Sequence, residues 1–397
     1  MTLESLIRVA REQGASDIHL EGGLPMALRI RGTLRMQGEP MAPAALSALA
    51  REVLGEAAWS EFIERRSWDL SRTVQGIRCR INVLRSARGV GFAIRLLSSF
   101  QATLRKMNLH PDLKRLVQPA HGLVLVCGPT GSGKTTTLAA LLQEINLAEP
   151  RHLITVESPI EYALTPKQCF IRQREVGRDT PSFAQALVDA LREDPDVLMV
   201  GELREPEVMQ LTLNAAETGH LVFATVHSSS SAEALQRIVA AFPSEVQAGV
   251  CAQLADCLVG VVAQRLRFRE DLGIRVPECE ILMASTPVKA LVRSGQFFKL
   301  QSAIETGASD GSWTFARYGE WLARKTDWAM PTQSDEPAPA ALPEPEPLPM
   351  ALPAQSKPRA KPAPRPASHR DEEGVLVLSE EEEDPEAILR ELERTRD

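Results

Sequence analysis

The chain has 397 residues, more than one hydrophobic core usually holds, so two or three units are expected. An apolar fraction of 44% and a charged fraction of 24% are ordinary for a soluble globular protein, and the net charge of −7 argues against a generic nucleic-acid binder. No apolar run approaches the roughly 18–20 residues of a membrane span, and Met1-Thr2-Leu3-Glu4-Ser5 shows no secretory signal, so a cytosolic protein is expected. The 6 cysteines include no C-x-x-C pair; reduced, mostly buried thiols are expected rather than a zinc site.

Residues 1–100 read as a small α+β domain. Leu3, Leu6, Ile7 and Ala10 form a helical stripe, and Asp17–Leu20 and Ala27–Leu34 read as strands around a turn at Gly22-Gly23-Leu24-Pro25. Two helical stretches follow, Ala44–Leu54 and Ala57–Arg65. Trp68–Val74, Ile77–Leu84 and Val90–Leu97 read as strands, with Gly76 turning the chain between the first two.

Residues 101–330 alternate strand and helix, which predicts a mostly parallel sheet covered by helices, an α/β fold. The apolar run Leu123–Cys127 predicts a buried strand, and Thr135–Asn146 a helix with Leu138, Leu141, Leu142 and Ile145 on one face. Between them stands a complete G-x-x-x-x-G-K-[ST] phosphate loop: Gly128, Pro129, Thr130, Gly131, Ser132, Gly133, Lys134 and Thr135, with Thr136 following. Its glycines let the backbone wrap a phosphate, and successive N–H groups with the positive helix end stabilise the anion. Lys134 is expected at the β- and γ-phosphates and the Thr135 hydroxyl on Mg²⁺, so ATP and Mg²⁺ are the expected cofactors. Further strands are Leu153–Val156, Val197–Val200 and Leu221–Thr225, with helices at Ser182–Arg192 and Pro206–Glu217. A strand pair, Gly260–Phe268 with Val276–Met283, and helices at Pro287–Ser294 and Phe297–Thr306 follow. Residues 331–370, rich in proline and alanine, predict an extended, disordered linker; 371–397 form an acidic tail in which Pro385–Leu392 could make one short helix.

Hydrolysis needs more than a phosphate loop. Val197–Val200 leads through Gly201 to Glu202, an acid at a strand tip in the form of a Walker B motif; Ile154-Thr155-Val156 delivers Glu157 in the same way. Glu202 is the expected residue to orient or deprotonate the attacking water; Glu157 is a second carboxylate that would fix the metal or the water, a candidate Mg²⁺ ligand beside Thr135, and spacing does not settle which of the two is the formal base. Glu161 reads as structural or peripheral. His220 and His227 bracket a strand at a spacing unlike a helical metal pair, and His227 is a candidate γ-phosphate sensor or subunit contact. Arg78, Arg80, Arg88 and Arg95 end the first domain, and Arg192 and Arg204 flank the Walker B strand; guanidinium groups suit a charge clamp on a transferring phosphate.

These blocks resemble the secretion ATPase superfamily of type II and type IV systems, most closely its pilus-retraction branch, over residues 3–325. The resemblance rests on Ala15–Leu20, the phosphate loop, Thr155–Glu161 as the family's Asp box, Arg172–Gly177, Ala190–Asp196 and Ala215–His220, the opening of its His box. It implies a PAS-like N-terminal domain, a RecA-like ATPase domain and a homohexameric ring. Arg80, Arg88 and Arg95 match the positions from which the N-terminal domain reaches nucleotide. It further implies partners: an inner-membrane pilus platform protein and other pilus ATPases, with the ring peripheral to the cytoplasmic face of that membrane and no nucleic acid. The retraction branch is favoured because relatives that extend pili or secrete proteins usually carry an additional N-terminal domain and often a four-cysteine metal site. Three departures stand out: Ser158 where the Asp box usually has aspartate, a loose Pro287–Arg293 version of the family's C-terminal motif, and the proline-rich acidic tail. The expected function is a motor for pilus retraction. Its rivals are an accessory subunit that binds ATP without hydrolysing it, an extension or secretion ATPase, and a nucleic-acid translocase, the last opposed by the acidic balance.

Overall fold

The computed structural model describes residues 2–30, 33–96, 102–330, 368–370 and 376–378. They fall into two compact units, one within Met1–Glu344 and one within Pro345–Asp397.

Helix α1 (Leu3–Glu12) begins at Thr2, whose hydroxyl accepts from the Ser5 N–H while Ser5 Oγ accepts from Thr2 N–H, a reciprocal cap that fixes the start of an amphipathic helix. Its buried face, Leu3, Leu6, Ile7 and Ala10, belongs to the same core as an antiparallel sheet of β1 (Ala15–Leu20), β2 (Met26–Ile30), β3 (Thr33–Gln37), β4 (Ser67–Val74), β5 (Ile77–Ser86) and β6 (Gly89–Leu96). The strand order is β3-β2-β1-β6-β5-β4. Between β3 and β4 runs α2 (Pro43–Arg65), broken at Gly55 (φ 72, ψ 167), as two adjacent helical stretches require. The expected single strand Ala27–Leu34 is instead the antiparallel pair β2 and β3, with Ile30 opposite Thr33. A run of strand formers reads alike whether it continues straight or folds back, because pairing and not propensity decides. Arg31, Gly32 and Leu97 lie outside the described residues.

The second sheet is built from β7 (Gly122–Cys127), β8 (His152–Glu157), β9 (Phe170–Glu175), β10 (Val197–Val200), β11 (Leu221–Val226), β12 (Leu258–Arg269) and β13 (Ile274–Met283). Their order is β13-β12-β7-β11-β10-β8-β9. Every neighbouring pair is parallel except β12 with β13. Between the strands run α3 (Lys134–Ala148), α4 (Phe183–Ala190), α5 (Pro206–Glu217), α6 (Ser231–Ala240) and α7 (Gln247–Cys257); α8 (Thr286–Arg293), α9 (Leu300–Thr306) and α10 (Phe315–Arg324) follow. β7, β10 and β11 are buried at every position, which is why they read as unbroken apolar runs. β9, α6 and α10 are not among the elements expected from the sequence. β9 is an edge strand carrying Arg172, Gln173 and Arg174, so its composition lacks the apolar signal.

All 6 cysteines are free and buried. Among the described residues no helix is long and apolar enough to cross a membrane. In the second unit, β14 (Ser368–Arg370) pairs antiparallel with β15 (Leu376–Leu378), so the last three residues of the expected extended linker are a strand. The rest of 331–370 and the expected helix at Pro385–Leu392 lie outside the described residues.

One buried ion pair joins the two sheets. Arg78 Nη2 on β5 donates to Glu175 Oε2 on β9 at 2.6 Å, and Ile160 N–H donates to the same oxygen at 3.2 Å. Removing one member of such a pair strands the other charge away from water. Arg78→Ala should therefore lower unfolding free energy by about 3–5 kcal/mol in urea titration; a loss below about 1 kcal/mol would show that water reaches the pair.

Candidate active site

The parallel strands end on one edge of the second sheet, where an open α/β sheet usually binds ligands. There β7 passes into the phosphate loop. At Gly128 a Cβ would lie 2.3 Å from the Gln264 carbonyl oxygen and 2.5 Å from Ser132 Oγ, so only glycine fits. Gly133, the N-cap of α3, takes φ 87, a left-handed conformation that glycine adopts without strain. Ser132 Oγ is buried with no hydrogen-bond partner. Lys134 folds back, its Nζ donating to Gly128 O at 2.9 Å and Pro129 O at 3.1 Å. Burial pushes the Lys134 ammonium below its ordinary pKa, against the pull of Glu202. The loop thus holds an unpartnered hydroxyl, a desolvated cation and a helix N-terminus, all suited to an anion.

Thr130, Gly131, Lys134 and Thr135 form one wall of a cleft of about 440 Å³. Gly128, Pro129, Ser132 and Gly133 shape the turn. Thr136 lies off the cleft, its hydroxyl 2.9 Å from the Tyr162 hydroxyl. The opposite wall brings together Glu157, Glu161, Glu202, Arg204 and His227, and Arg80 reaches in from β5. Ser158 also lines it, so the position that is usually an aspartate in the family presents a hydroxyl. Glu161, expected at the periphery, is part of the wall.

Arg88 and Arg95 do not line this cleft. Arg95 stands directly opposite Arg80 across β5 and β6, but its Nε donates to Asp17 Oδ1 on β1 at 2.8 Å. Arg88 lies at the tip of the β5–β6 hairpin. His220 is also set apart, with Nδ1 2.9 Å from Ala215 O at the end of α5.

The two strand-tip carboxylates have opposite surroundings. Glu157 is buried at the cleft wall, and burial pushes its carboxyl up to about 7; the Thr155 hydroxyl, donating at 2.7 Å, and the Gln173 amide, at 3.1 Å, offset this only in part. Burial also acts to raise Glu202, but Arg204 at 2.6 Å, His227 Nε2 at 2.9 Å and Lys134 outweigh it and hold that carboxyl below its ordinary range. One acid therefore exchanges a proton near neutral pH while its neighbour stays charged, the division that acid–base chemistry uses. Thr155 and Gln173 were not singled out as site residues. Gln173 also donates to Tyr162 O at 2.9 Å, and its signal was the polar residue inside the Arg172–Gly177 block.

The family model described as Type II/IV secretion system protein matches residues 1–286. The chain belongs to this family. It is 40% identical over 316 residues to the Type IV pilus retractation ATPase PilT of Pseudomonas aeruginosa, covering 79% of this chain and 92% of that protein. To the twitching motility protein of Neisseria gonorrhoeae it is 36% identical over 324 residues, covering 81% and 86%. A crystal structure of the pilus retraction motor PilT with bound ADP superimposes with a TM-score of 0.73 at 37% identity, covering 81% of this chain and 96% of that one.

For this member of the type II/IV secretion system proteins the cleft fits a nucleoside triphosphate. Ser132 Oγ and the glycine-lined turn suit a phosphate, while Thr135, Glu157 and Glu202 offer the hard oxygen donors that Mg²⁺ prefers. Among the described residues no group of three or more His, Cys, Asp and Glu side chains gathers into a metal site.

Glu157 also makes stability depend on pH. Its folded-state value of about 7 stands above the ordinary 4.5, so the folded chain binds that proton more tightly than the unfolded chain. The stabilisation is complete below 4.5 and is lost as pH rises to about 7. Without nucleotide, Glu157→Gln should match wild type near pH 4.5 and exceed it by about 3 kcal/mol above neutrality. Parallel denaturation curves across that window would contradict the assignment.

Proposed function

We propose that this chain is an ATPase motor that drives type IV pilus retraction, working as a homohexamer on an inner-membrane platform protein at the cytoplasmic face. In this reading residues 1–100 are a PAS-like domain, 101–330 a RecA-like ATPase domain, and 331–397 a linker and tail outside the catalytic machine. Family membership and the likeness to pilus-retraction and twitching-motility proteins support the motor. The observation that carries the catalytic reading is the phosphate loop facing two strand-tip carboxylates, one near neutral and one ionised.

Mg²⁺ would be held by the Thr135 hydroxyl with Glu157 or Glu202, and would supply charge neutralisation at the β- and γ-phosphates. Lys134 exchanges its carbonyl contacts for phosphate oxygens. The strand-end motif favours Glu202 for the attacking water, but Glu157 is the better proton acceptor on this reading, because its proton affinity lies near the working pH. Glu202 keeps its charge and, through His227, holds a polar group at the γ-phosphate side. Arg80 is the clamp residue that already lines the cleft. Arg88 and Arg95 retain a nucleotide-facing role across the ring, toward a neighbouring copy.

A steady-state phosphate-release assay tests this. Lys134→Ala, Glu157→Gln and Glu202→Gln should each reduce turnover by at least about 100-fold in well-folded protein. Arg80→Ala should lower kcat by at least about 10-fold while ADP affinity changes less than about threefold, as expected of a group that acts on developing charge. Removing residues 334–397 should leave turnover intact. The second reading, an accessory subunit that binds ATP without hydrolysing it, draws on Ser158 in the cleft wall; it predicts nucleotide binding with no phosphate release from wild type.

A further inference from the structure

Gln264 is a polar side chain at the end of the buried run of β12, Val261-Val262-Ala263-Gln264, and only 2% of its surface is exposed. A buried amide is costly unless both its halves are bonded. Here both are. Its Nε2 donates to the Ser132 carbonyl at 2.6 Å, and its Oε1 accepts from the Thr137 hydroxyl at 2.6 Å. One amide thus spans the phosphate loop and the first turn of α3. The backbone of the same residue closes the site from below: β12 runs parallel to β7 with Ala263 opposite Cys127, and the Gln264 carbonyl occupies the space a side chain at Gly128 would need.

In a trans peptide the C=O and N–H point in opposite directions. The Ser132 carbonyl shares its peptide with the Gly133 N–H. When Gln264 holds that carbonyl toward β12, the Gly133 N–H faces the other way, into the turn where a phosphate would sit. Glycine at 133 leaves the peptide free to rotate, so something must set its orientation; a Cβ there would lie 2.9 Å from Gln264 Nε2, showing how closely the amide is applied to the loop. We infer that Gln264 is a positioning residue for nucleotide binding: it orients the Ser132–Gly133 peptide so that its N–H donates to a nucleotide phosphate, with Thr137 fixing which end of the amide faces the loop. The inference rests on the ATPase reading of the same cleft.

Such a residue acts equally on bound substrate and transition state, so its loss should appear in KM and spare kcat. With the full-length chain and Mg-ATP, Gln264→Met, which keeps the volume and removes both hydrogen bonds, should raise KM by about 10- to 30-fold with kcat within about threefold of wild type. Thr137→Val, which leaves Gln264 in place but frees its orientation, should raise KM by about three- to tenfold. If Gln264→Met does not fold, Thr137→Val decides alone. KM within about twofold of wild type in the folded variants overturns the inference. So does a fall in kcat at unchanged KM, the result of a merely structural role. Wild-type protein that neither binds Mg-ADP nor releases phosphate would fail at the ATPase reading itself, whereas active wild type with unshifted variants fails only at Gln264.

Discussion

No side chain fits where β7 turns into the phosphate loop. The Gln264 carbonyl and Ser132 Oγ already occupy the volume around Gly128, and the surrounding geometry depends on that contact. It brings β12 against the loop, lets Lys134 fold over the Gly128 and Pro129 carbonyls, and starts α3 with its N–H groups around the turn. A cradle assembled by packing before any ligand arrives need not be ordered on binding, so less of the interaction energy is spent on conformational entropy.

The same sheet explains how two glutamates at equivalent strand tips come to differ. β8 and β10 are parallel neighbours, with Val156 opposite Val200, so each delivers its acid to the same edge. Glu157 is enclosed by neutral donors, and burial dominates; Glu202 faces Arg204, His227 and Lys134, and charge dominates. Proton affinity near neutrality and a standing negative charge thus arise in the cleft that the phosphate loop lines, without any unusual residue type. The first sheet takes part as well. β5 contributes Arg78 to the buried pair with Glu175 and Arg80 to the cleft, so one strand both anchors the two sheets and presents a guanidinium to the site.

Much of this was legible in the sequence wherever burial and local chemistry agreed. Val197–Val200 and Pro206–Glu217 have the predicted bounds because one is an unbroken apolar run and the other starts at a proline. The phosphate loop and Glu202 follow from motif and strand end. What stayed hidden depends on contacts between distant residues. β9 carries arginines because it lies at an edge, and the break of Ala27–Leu34 into two strands is a matter of pairing. Arg80 and Arg95 are indistinguishable by residue type and face, yet Asp17 on β1 claims Arg95. Gln264 looked like one polar residue in a strand until its register beside Cys127 and Gly128 placed it under the loop.

At issue is a preformed cradle that grips a triphosphate beside strand-tip acids. Calorimetric titration of folded wild-type protein with Mg-ATP tests it most directly. Saturable heat from one site per chain, competed by ADP, is expected; no heat from protein that unfolds cooperatively would rule the cradle out.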